Sequence, residues 1–131
     1  MYTIKEVAAE VGESEHTIRY YCKKGLFPFL TRDKNNVRKF SKEDLVGVRI
    51  VLCLRDTGMP LSEIQHYMEL CAQGASTLTE RLKIIRQQKE NAYRLMAEFQ
   101  KKIDHLEWKE RHYMELIQTG AEDDCNPIQH K

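Results

Sequence analysis

Eight basic side chains crowd into residues 17–42: Arg19, Lys23, Lys24, Arg32, Lys34, Arg38, Lys39 and Lys42, against Asp33 alone, so this stretch carries +7. Residues 1–16 and 43–131 carry −3 each, and the whole chain of 131 residues only +1. Cations gathered this way in a near-neutral chain suit a face that holds phosphates. A merely solvated charged face is the competing reading, and the element beneath the cations decides between them. The other reactive groups are four thiols, Cys22, Cys53, Cys71 and Cys125. They form no CxxC pair and no disulfide framework, so in a reducing compartment they are expected as thiols, most simply packed as small apolar side chains. A reactive thiolate needs nearby positive charge and solvent access. Cys53 has Arg49 and Arg55 close in sequence, so it is the first candidate and Cys71 the second. A soft metal needs converging thiolates or imidazoles. The tail supplies only Cys125 and His130, so no metal site and no cofactor are expected, the least remote metal pairing being Cys71 with Cys125 of a partner chain. Paired carboxylates, a nucleophile–base motif and a phosphate loop are all missing from the sequence, which speaks against an enzyme.

The elements that must position these groups announce themselves by their caps. Thr3 followed by Glu6 is a capping box, and Ile4, Val7, Ala8 and Val11 form one apolar stripe behind it, stopped by Gly12. Ser14 caps a second helix over about 15–24, ended by Gly25. Two short helices around a glycine turn make a helix-turn-helix. Ile18, Tyr21 and Cys22 fall on the inner side of the second helix, leaving His16, Thr17, Arg19, Tyr20 and Lys23 outward. Such a helix fits the major groove, with its first residues at base edges and later ones on phosphates. Pro28 excludes helix in the next stretch, and the turn residues 33–36 predict a small hairpin wing bearing Arg32, Lys34, Arg38 and Lys39. Ser41 with Asp44 opens another helix to about Thr57. Gly58 and Pro60 break it, and a helix over 61–73 follows with Ile64, Tyr67, Met68 and Cys71 inward.

From Ser76 to about Gln118 there is neither proline nor glycine. Positions 78, 82, 85, 89, 92, 96, 99, 103, 106, 110, 113 and 117 alternate steps of four and three, and ten of the twelve are apolar, with Lys89 and Glu110 the exceptions. That is an a/d heptad seam, with Leu82, Ile85, Ala92, Met96, Phe99, Ile103 and Leu106 at its centre. At 1.5 Å per residue the helix would run roughly 65 Å, too long to bury on some seventy residues, so a dimer is expected. The predicted organisation is therefore a mainly α-helical chain. A winged helix-turn-helix domain covers 1–74, a coiled-coil dimerisation helix 75–118, and a tail 119–131.

YTIKEVAAEVGESEHTIRYYCKKGLFP, then R-x5-R-K-F-S-x-E-D-L, then LRDTGMPLSEI, resemble the DNA-binding half of MerR-family transcription regulators over about residues 2–73. Cys22 stands where the family usually has an acidic or polar residue, and Val37 where an aromatic usually precedes the wing arginine, so no stacking contact is expected at the wing tip. The resemblance implies an antiparallel dimer helix and double-stranded promoter DNA as partner. It also implies activation by distorting a pseudo-palindrome between promoter elements, so that RNA polymerase is engaged through the promoter. A short branch of similar regulators, with a cysteine in the helix after the wing, responds to aldehydes or thiol stress. That makes Cys53 the sensor candidate, against a buried core thiol. A signal-independent DNA-organising protein or constitutive repressor with the same fold is the alternative function, and a scaffold acting through its coiled coil alone leaves the +7 block unexplained. No separate effector domain fits after residue 118. No signal peptide or membrane span is visible, so a cytoplasmic protein is expected.

Overall fold

Thr3 Oγ1 accepts from the Glu6 amide at 3.2 Å and Glu6 Oε1 accepts from the Thr3 amide at 3.1 Å, and with that box closed the chain enters α1 (Ile4–Val11) in the computed structural model. The structure describes residues 1–126 except Asp33 and Asn36, together with Ile128 and Gln129; of Thr31 and Arg32 it describes the backbone only. Gly12, at φ 73°, ends α1 in the left-handed region, which a glycine reaches without steric cost. Ser14 accepts from the Thr17 amide at 3.0 Å and starts α2 (Glu15–Lys23). The hairpin follows as two antiparallel two-residue strands, β1 (Thr31–Arg32) and β2 (Arg38–Lys39), with Thr31 opposite Lys39 and Arg32 opposite Arg38. Phe40, just past β2, exchanges both backbone hydrogen bonds with Tyr2 at 2.7 and 2.9 Å, so the wing root is tied to the N-terminus.

A second capping box, Ser41 with Asp44, opens α3 (Lys42–Asp56). Then come α4 (Leu61–Gln73), a single 3₁₀ turn (Ala75–Thr77) and α5 (Leu78–Thr119), a helix of 42 residues. The chain is mostly helical with little strand and a long C-terminal helix, as the patterning predicts.

Val7, Ile18, Leu26, Phe40, Val48, Val51 and Ile64 are fully buried and bring α1, α2, α3, α4 and the wing root into one core. Phe27 meets Phe40 edge to face at 6.1 Å and 75°, the orientation favoured by the ring quadrupoles. Gly47, inside α3, is there for space. A Cβ at that position would lie 2.6 Å from the Phe29 ring, so only glycine lets the segment before the wing lie against α3. Of the four residues expected inward on α4, Ile64 and Met68 are buried, while Tyr67 and Cys71 are half-buried.

The chain divides into two compact units, Met1–Ala92 and Tyr93–Lys131. In the first, Ile84 of α5 packs on the core, and the buried Gln88 side chain donates from Nε2 to the carbonyl and the hydroxyl of Thr57, both at 2.9 Å. In the second, Gly120 at φ 72° ends α5, and Lys109 Nζ donates to the Cys125 carbonyl at 3.1 Å, so the tail runs back along the helix. Pro127, His130 and Lys131 lie outside the described residues, so His130, considered above as a metal ligand, is not placed. No helix among the described residues is long and apolar enough to cross a membrane.

Candidate nucleic-acid interface

α2 buries Ile18 and Tyr21 and turns His16, Arg19, Tyr20 and Lys23 to solvent, with Thr17 half-exposed beside its cap. The split follows from helical geometry, since residues three and four apart share a face and α2 is only about two and a half turns long. Lys24 sits 5.6 Å from the centre of the exposed Tyr20 ring, adding a cation at the helix end. On the wing, Lys34 is exposed and Arg38 and Lys39 half-exposed, while Val37 is 47% exposed near the tip. The Arg32 side chain lies outside the described residues.

What fixes α2 in this attitude is a residue that pattern reading took for something else. Arg55, near the end of α3, donates from Nη2 to Glu13 Oε1 at 2.6 Å, from Nη1 to the Tyr21 hydroxyl at 3.3 Å, and from Nε and Nη2 to Asp56 Oδ1 at 3.0 and 2.7 Å. These bonds, the one to Glu13 foremost and then those to Tyr21 and Asp56, raise its pKa above the ordinary arginine value, so the guanidinium is a fixed cation. One side chain thereby joins the turn of the helix-turn-helix, α2 and α3. Its sequence position suggested a partner for Cys53; its fork is committed elsewhere.

The core-thiol reading of Cys53 is overturned. Val51, Leu52 and Leu54 of α3 are buried, but Cys53 falls on the outer side with Val46 and Ile50, and all three are exposed. Cys53 opens into a shallow groove of about 450 Å³ lined also by Val11, Arg49, Leu52, Asp56 and Thr57. Arg49 therefore shares the groove with the sulfur. Its own contact to Glu10, 3.9 Å and half in solvent, is weak. Cys71 is half-buried against Tyr67, whose hydroxyl is pushed up by burial first and by the neighbouring thiol second.

The seam residues carry the opposite signature. In the first unit Leu82 and Ile85 are exposed and Ala92 half-buried; in the second, Met96, Phe99, Ile103 and Leu106 are all exposed, Phe99 by 65% and Leu106 by 67%. A contiguous apolar strip of this kind on a single chain marks a face made for a partner.

Residues 2–71 match the family described as MerR HTH family regulatory protein, and residues 45–109 the one described as MerR, DNA binding. An HTH-type transcriptional regulator of Haemophilus influenzae is 34% identical over 120 residues, 92% of this chain and 89% of its own length. Among solved structures, a MerR-family transcriptional regulator from Bacillus thuringiensis is 38% identical with a TM-score of 0.81, covering 86% of this chain and 98% of its own. HiNmlR, a MerR-family regulator lacking the sensor domain and solved bound to promoter DNA, is 34% identical with a TM-score of 0.83, covering 92% of this chain and 95% of its own.

Proposed function

The chain belongs to the MerR family of helix-turn-helix regulatory proteins, and we propose that it binds promoter DNA as a homodimer and controls transcription by distorting it. The observation that carries this reading is the outward set on α2, namely His16, Thr17, Arg19, Tyr20 and Lys23, followed directly by the cationic wing with Lys34, Arg38 and Lys39. Arg32 is assigned to the same wing contacts from its sequence position. Residues early in α2 would meet base edges and the later cations phosphates. The division of labour proposed is residues 1–74 for DNA, 75–118 for dimerisation and 119–131 for the tail, with RNA polymerase reached through the reshaped promoter in the cytoplasm. A solved relative bound to promoter DNA supports the partner class.

Salt tests it most directly. If each half of a dimer neutralises several phosphates, operator affinity should fall by about 10³-fold or more between 50 and 200 mM salt, as expected for six to ten phosphate contacts. Affinity that is flat with salt would defeat the reading.

We further infer that Cys53 is where an electrophile enters. Its sulfur is exposed beside Arg49, in a groove that also holds Asp56 and Thr57. Asp56 touches the Arg55 fork that holds α2, and Thr57 receives the Gln88 side chain of α5. An adduct on Cys53 would thus press on the joint between the DNA-reading helices and the helix that pairs. Brief alkylation of the folded protein near neutral pH, read by mass spectrometry, should modify Cys53 ahead of the half-buried Cys22 and Cys71. Cys125 is also exposed, but local desolvation and the neighbouring Asp124 raise its pKa, leaving less thiolate. Slow labelling of Cys53 would remove it as a sensor and favour a signal-independent repressor.

A further inference from the structure

Within the second unit, the tail that follows Gly120 brings Asp124 and Cys125 onto the side of α5 that carries His112. One ligand atom from each of the three residues, the imidazole nitrogen, a carboxylate oxygen and the thiol sulfur, lies within 4.8 Å of the others. His112 Nε2 is buried and has no hydrogen-bond partner. Asp124 Oδ1, at 3.6 Å, is too far for a hydrogen bond. A buried ring nitrogen left without a partner is a cost that a native fold normally avoids. We propose that His112, Asp124 and Cys125 form a binding site for one borderline divalent cation of the zinc type in each protomer.

The donor set selects the class. Zinc bonds of about 2.0–2.3 Å to nitrogen, oxygen and sulfur imply tetrahedral edges of roughly 3.3–3.8 Å. The His112–Asp124 separation of 3.6 Å already matches such an edge. A mixed nitrogen, oxygen and sulfur set suits zinc-like ions better than magnesium or calcium, which take oxygen alone, or copper(I), which prefers sulfur. Three protein ligands leave a fourth position for water.

The imidazole is aimed by stacking. Trp108 lies 5.0 Å from the His112 ring at 8°, and His105 continues the stack at 6.2 Å and 18°. Positions 105, 108 and 112 are c and f positions of the heptads, on the face opposite the a/d seam, so pairing of the helices leaves the three ligands together in each chain. Lys109 fastens the loop by its backbone, through the Cys125 carbonyl, and so holds the ligands in place without occupying them. The site is independent of the DNA-reading surface.

Trp108 is the chain's single tryptophan, so its fluorescence reports the site. Cobalt(II) titrated into the reduced, metal-free full-length protein should bind once per chain, quench that fluorescence and raise a near-ultraviolet sulfur-to-cobalt absorption, with zinc reversing both. Cys125→Ser should abolish the sulfur band, and His112→Gln and Cys125→Ser should each weaken binding at least roughly tenfold, beyond the floor set by losing an outer-shell partner. Cys125 lies in the exposed tail, so its variant keeps the fold, and unchanged circular dichroism checks both. No saturable quenching at millimolar cobalt would overturn the site and leave His112 and Asp124 as a simple ion pair. Unaltered binding in both variants would overturn it equally.

Discussion

Met96→Glu combined with Phe99→Glu should turn the protein from a dimer into a monomer and remove nearly all operator affinity. Both side chains are 65% exposed on the single chain, at a and d positions of one heptad. In a paired seam each would be covered, and an aromatic ring alone buries on the order of 150–250 Å². Glutamates there would be desolvated without partners and set against each other, a cost that buried charge makes large. Neither side chain belongs to the core of the first unit, so that unit should still melt as before. Losing the partner turns a two-armed contact with DNA into a one-armed one, and linkage of two arms is worth about 10²–10⁴-fold in affinity. Sedimentation velocity reads the mass and fluorescence anisotropy the affinity. A persistent dimer would move the interface off this seam.

Arg19→Ala should be nearly as damaging to DNA binding while leaving the fold alone. Arg19 is exposed on α2, makes none of the contacts that hold the helix, and can be truncated with a stability change within about 0.5 kcal/mol. An arginine reading a base edge is worth about 1–3 kcal/mol per site, so a dimer on two half-sites should lose roughly 30-fold to 10⁴-fold. Lys34→Ala is the natural contrast. A phosphate contact on the wing should weaken all sequences alike and reduce the salt slope by about one unit per half-site. If Arg19→Ala binds operator and random DNA with unchanged preference, the base-reading role passes to His16 or Thr17.

The parts of this molecule that were legible in advance are those whose causes lie within four residues. Thr3 with Glu6, Ser14 with Thr17, and Ser41 with Asp44 each close a hydrogen bond across three positions, so helix starts could be read directly. The division of α2 into an inner and an outer face, and the seam of α5, follow from period alone. The misses share a different cause: their partners meet only after folding. Arg55 finds Glu13 across 42 residues, and Phe29 fills the space that Gly47 leaves. Nothing in the local spacing marks either pair. Cys53 sits between two leucines that are both buried, so its exposure depends on which arc of α3 the other helices cover. His112 precedes Asp124 by twelve residues, a gap no ligand-spacing rule singles out, and the tail's reversal after Gly120 is what closes it.

The joint at the end of α3 carries an obligation that runs in both directions. Arg55 engages α2 there and Thr57 receives Gln88 of α5, with the Cys53 groove between them. If a reversible adduct on Cys53 changes operator affinity by some factor, occupancy of the operator must change the stability of that adduct by the same factor. The promoter is then itself an effector of the thiol, and DNA-bound and free copies of the regulator would have different thresholds for the same electrophile.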